Sequence, residues 1–119
     1  MWVNYNANPD GVRGIDCTVR AISMVTGESW EAVYMGLCVE GLLLKQMPSA
    51  NAVWGSYLER LGLHRSLVPE TMTVEQFCNT HPHGDYILAL SGHVVAVHDG
   101  DYYDTWQSGN EIVIYSWER

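Results

Sequence analysis

Cys17 follows Gly14-Ile15-Asp16 and opens a run whose apolar residues Val19, Ile22, Met24 and Val25 lie at helical spacing. A thiol is most easily activated at such a loop-to-helix junction. Unpaired backbone N–H groups and the positive end of the helix dipole stabilise a thiolate there and lower its pKa. The same N–H groups can hold the oxyanion formed when a thiolate attacks a carbonyl. Cysteine is also a common small core residue, so position alone does not give Cys17 chemistry. It needs a base.

The second half of the chain supplies one. Asp99-Gly100 separates Val94-Val-Ala-Val-His98 from Asp101-Tyr-Tyr-Asp104, the pattern of a hairpin with a two-residue loop. With that loop residue 98 faces 101, His93 faces Trp106 and Val95 faces Asp104. Side chains alternate across a strand, so His93, Val95, Asp104 and Trp106 share one face. Asp104 becomes the diagonal neighbour of His93, about 7–8 Å away along the backbone, a gap that two converging side chains close to a hydrogen bond. A carboxylate on one imidazole nitrogen fixes the tautomer and stabilises the cation, which frees the other nitrogen to take a proton from a nucleophile.

Three short motifs then resemble the papain-like cysteine peptidases, including the bacterial double-glycine leader peptidases. Asp16-Cys17 opening a helix resembles their nucleophile site, Gly92-His93-Val-Val-Ala-Val resembles their histidine strand, and Asp104-Thr105-Trp106 resembles the Asn-Ser-Trp of papain. The resemblance implies a papain-like fold, in which Cys17 is the nucleophile, His93 the base, Asp104 the orienting acid and Trp106 a shield over the histidine's hydrogen bond. The implied activity is that of a cysteine peptidase, isopeptidase or amidase working through a thioester acyl-enzyme, with a peptide or protein substrate and no cofactor or metal. The family carries a glutamine six residues before the nucleophile to complete the oxyanion hole, and Gly11 stands there in this chain. Asn8 is the expected replacement, with Asn6 as a second candidate.

The elements that must position these residues follow the order helices, then strands. Met1–Asp16, rich in Asn, Pro and Gly, reads as an extended entry loop. Thr26-Gly27 ends the first helix, and Ser29 caps a second from Trp30 to about Cys38. Asn51 is placed to cap a third through Trp54, Leu58 and Leu61 to Gly62, and Thr73-Val-Glu-Gln76 has the form of a capping box for a short fourth. Tyr86–Leu90, His93–His98, Tyr102–Trp106 and Glu111–Trp117 read as strands. The expectation is a single α+β domain over residues 1–119, with N-terminal helices packed on a C-terminal antiparallel sheet.

Composition narrows the alternatives. A chain of 119 residues with 47% apolar residues can bury one core and not two. Its net charge of −8, with six scattered basic residues, disfavours a phosphate-binding face, and no nucleic-acid partner is expected. Met1–Gly11 lacks the pattern of a signal peptide, and no apolar stretch approaches the roughly 20 residues of a membrane span, so a cytoplasmic location away from membranes is expected. Three unevenly spaced cysteines fit a reducing compartment. Cys78, His81 and His83, with Cys38 or His64, have metal-ligand types at an unusual spacing, and a helix end is their simpler reading. Arg20 reads as a helix-surface ion pair with Asp16. Two other functions fit the same residues: a non-catalytic binding module, and a transglutaminase-like acyltransferase.

Overall fold

In the computed structural model, which describes residues 1–69 and 71–119, Asp99 and Gly100 have φ of 47° and 81°. Two successive left-handed residues make the tight turn whose twist matches a hairpin. That turn joins β4 (His93–His98) to β5 (Asp101–Asp104), paired His98 with Asp101, Val97 with Tyr102 and Ala96 with Tyr103. The register is the expected one, although the ladder ends at Tyr103 and leaves Trp106 outside the strand.

The sheet has six strands in the order β1-β5-β4-β3-β6-β2, where β3 is Asp85–Leu90 and β6 is Tyr115–Glu118. Two strands lie where loops are expected from sequence. Trp2–Asn4 forms β1, an edge strand running parallel to β5, so the sheet is mixed and not antiparallel throughout. His64–Leu67 forms β2 on the opposite edge, antiparallel to β6.

Helix α1 (Cys17–Thr26) closes on Gly27 in the left-handed conformation. Ser29 accepts from the Ala32 N–H and caps α2 (Trp30–Leu44), which runs past Cys38 to an end at Lys45. Ala50, not Asn51, precedes α3 (Asn51–Arg60), and the Asn51 carboxamide oxygen instead accepts from Trp54 Nε1. Gly36 allows α2 and α3 to approach, because a Cβ there would lie 2.5 Å from the Tyr57 ring. The capping box of Thr73 and Gln76 opens α4 (Val74–Thr80).

Helices cover both faces of the sheet. Ile22, Val33, Leu37, Trp54 and Leu58 from α1 to α3 pack on Ile87, Ala89, Val94, Ala96 and Trp117. Val74, Phe77 and Cys78 of α4 pack on Leu88, Leu90, Val95, Val97 and Tyr102. α4 closes the second face, and the inner stretches Ile87–Leu90 and Val94–Val97 are apolar without interruption, as strands buried on both sides are. The architecture is α+β. Among the described residues no helix is long and apolar enough to cross a membrane.

Candidate active site

Cys17 is the first residue of α1, and Asp16 in the capping position makes no cap hydrogen bond. The carboxylate is drawn elsewhere: Oδ2 accepts from Trp30 Nε1 at 3.0 Å and Asn8 Nδ2 at 3.2 Å, and Oδ1 lies 3.2 Å from Arg20 Nε. The first-turn N–H groups of a helix have no intrahelical acceptor. With Asp16 turned away, no side chain at the cap competes for them.

His93 begins β4, directly after the Ser91-Gly92 turn. Strand alternation puts it on the α4 side with Val95 and Val97, whereas Cys17 belongs to a helix on the other side. The two meet at the first residue of β4, where both line one cleft. His93 Nε2 lies 2.7 Å from Asp104 Oδ2, which leaves Nδ1 as the nitrogen for the Cys17 sulfur. Asp104 is 4% exposed, yet its carboxylate is fully satisfied. Oδ2 also accepts from Ser108 Oγ at 2.6 Å, and Oδ1 accepts from the Thr105 N–H at 2.8 Å. Trp2 Nε1 and the Tyr5 N–H both donate to the Asp104 carbonyl at 3.1 Å, so β1 fixes the backbone that carries the acid.

These contacts move two pKa values. Burial pushes the Cys17 thiol up, but the hydrogen bond and charge of His93, the Val94 N–H and the Arg20 charge together bring it below the ordinary value. Burial pulls His93 down, and the hydrogen bonds to Asp104 and Cys17 outweigh it, raising the imidazole to about 9. The shifts favour a thiolate beside an imidazolium. Cys78 contrasts with this: buried in the α4 core, its thiol is pushed up to about 11 by desolvation.

Trp106 lies beside the imidazole, with ring centroids 5.0 Å apart at 38°. Asn8 is engaged within the entry loop: Oδ1 accepts from the Asp10 and Val12 N–H groups, and Nδ2 donates to Asp16. Arg20 is not a surface residue. Its side chain is 11% exposed, and Nη1 donates to Thr105 Oγ1 at 2.9 Å while Nε faces Asp16. Sequence reasoning missed this bridge, as it did Ser108, because both depend on how the segment after β5 folds back. His98 pairs with Asp85 on the exposed end of the sheet, away from Cys17. His81 stacks on Phe77, and among the described residues no group of three or more His, Cys, Asp or Glu side chains converges as a metal would require.

A cleft of about 300 Å³ opens over Cys17 and His93, walled by Trp54, Leu90, Ile114 and Tyr115. Among the described residues, its titratable lining groups are Cys17, His93 and Tyr115. No protein-family model, curated protein or solved structure matches the chain.

Proposed function

We propose that this protein is a cysteine hydrolase of papain-like architecture, acting on a peptide or related amide. The observation that carries the reading is the position of His93, hydrogen-bonded to Asp104 on one side and lining the same open cleft as Cys17. A structural histidine would not need an acid behind it and an acid-shifted thiol in front.

In this reading the Cys17 thiolate adds to the substrate carbonyl carbon. A C–S bond forms, and the carbonyl π electrons move to oxygen, where the Cys17 backbone N–H at the start of α1 stabilises the charge. Collapse of the tetrahedral adduct breaks the C–N bond, and the His93 imidazolium gives its proton to the departing amine. Neutral His93 then takes a proton from water, which attacks the thioester and releases the acid and the Cys17 thiolate. Asp104 holds the imidazole in the orientation that both transfers need, and Trp106 limits water around that hydrogen bond. Asn8 enters the oxyanion site only if the entry loop rearranges, since its amide is engaged with Asp16 and the loop backbone.

The test is the alkylation rate of Cys17 by iodoacetamide across pH, in the parent, His93→Ala and Asp104→Asn chains. A thiolate pKa below the ordinary value that climbs when His93 is removed supports the hydrolase. A thiol indifferent to both substitutions rejects it.

A further inference from the structure

Helix α2 turns Val33, Leu37 and Gly41 to the core, and its opposite face is apolar as well. Ala32, Met35, Val39 and Leu42 follow one another along that outer face at steps of three, four and three, the spacing of a coiled-coil seam. We propose that this face pairs with the same face of a second copy of the chain, the two α2 helices running antiparallel about a two-fold axis near Cys38. The inference goes beyond the hydrolase reading and does not rest on it, because Cys17 and His93 belong to other elements.

Exposure, charge and shape each support a second copy as the occupant. A helix with water on one side is ordinarily polar there, yet Met35, Val39, Leu42, Leu43 and Met47 are each more than half exposed. Covering five such side chains removes on the order of 600 Å² per copy, which the rim of Glu31, Lys45 and Gln46 brings near the about 800 Å² per partner of a specific interface. Two chains of net charge −8 repel one another unless they meet on a surface without net charge. Between residues 30 and 44 the charged residues are Glu31 and Glu40, and Glu40 is buried against Arg60. Glu31 and Lys45 stand seven residues either side of Cys38, so the antiparallel arrangement sets each Glu31 beside the partner's Lys45. A parallel pair would set like charges together. Shape agrees, because an open groove of about 640 Å³ runs beside Cys38, Leu42 and Met47, and the same axis brings the partner's Met35 to it. A flexible thioether side chain fills an irregular apolar groove well. A lipid surface would call for a strongly basic rim, whereas this rim balances Lys45 with Glu31.

The experiment is sedimentation equilibrium of the whole chain over a range of concentrations at low salt. The parent is expected to form a dimer with a dissociation constant in the micromolar range or tighter. Leu42→Glu, at an exposed position of the single chain, should leave the circular dichroism spectrum unchanged. It should weaken the dimer by about 100-fold or more, since each copy would then bury an unpaired carboxylate. Glu31→Lys sets like charges against the partner's Lys45 and is expected to weaken the dimer several-fold, and adding Lys45→Glu should restore it. Both charge changes lie at exposed positions, so they report on the pairing even where Leu42→Glu fails to fold. A chain that stays monomeric up to millimolar concentration, a dimer indifferent to Leu42→Glu, or a double charge variant no tighter than Glu31→Lys alone overturns the proposal.

Discussion

Arg20 Nη1 donates to Thr105 Oγ1 at 2.9 Å, so the helix that carries Cys17 is tied to the residue directly after Asp104. The same guanidinium faces Asp16, directly before Cys17. One buried arginine thus fixes the distance between the two ends of the Cys17, His93 and Asp104 row, and its positive charge also favours the thiolate.

Thr105→Val removes the hydroxyl acceptor alone. It is expected to cost about 1 kcal/mol of stability and to raise the Cys17 pKa modestly. Arg20→Met strips the partner from a mostly buried carboxylate and is expected to cost about 3–5 kcal/mol, with a larger rise. Arg20→Lys restores the charge without the bridge. Urea unfolding midpoints, read beside the alkylation pH profile, separate the charge effect from the tie.

Asp104→Asn removes the main group that raises His93 from its buried, lowered tendency to about 9. The imidazole pKa is expected to fall, and the alkaline limb of any turnover profile, set by loss of the imidazolium, moves to lower pH with it. Turnover should drop by orders of magnitude, as for other triads that lose their acid. NMR titration of the His93 ring checks the shift without a substrate.

Cys17→Ala takes away the second group that raises His93. The ring pKa is expected to fall and yet to stay above its ordinary value, because the Asp104 contact remains. The sign follows from the thiolate's charge: removing an anion disfavours the cation beside it.

Thiol labelling should rank by environment. Cys17 is expected to react first, and already at mildly acidic pH. Cys78, 1% exposed and raised to about 11, is expected to remain unmodified until the chain unfolds. Mass spectrometry of the labelled peptides over time reads both.

Glu40 is buried between α2 and α3 and accepts from Arg60 Nε at 3.0 Å and Ser56 Oγ at 2.6 Å. The Arg60 and Ser56 contacts hold its carboxyl below the usual range. A depressed carboxylate contributes stability above its ordinary value of 4.5, and that contribution is lost as pH falls toward the folded-state value. Glu40→Gln should therefore destabilise the chain at pH 7 and become nearly neutral in strong acid, as chemical unfolding at the two pH values would report.

What the sequence determined is local. The turn at Asp99-Gly100, the caps at Ser29 and Thr73, and the stop at Gly27 are each set by one or two residues whose backbone or side-chain chemistry permits little else. From the turn and strand alternation came the approach of Asp104 to His93. The rest needed contacts between distant segments. Nothing in Trp2-Val-Asn4 marks an edge strand, because its pairing depends on β5 being there to receive it. The unbroken apolar run Val94–Val97 did carry a signal of burial on two sides, but which helix covers the second side is a matter of packing. Likewise the meeting of Cys17 and His93 across the end of the sheet, and the burial of Arg20 between Asp16 and Thr105, were decided by tertiary structure. The approach of Cys17 to His93 and the Arg20–Thr105 hydrogen bond join residues far apart in the chain and exist only once the core has brought α1 against β4.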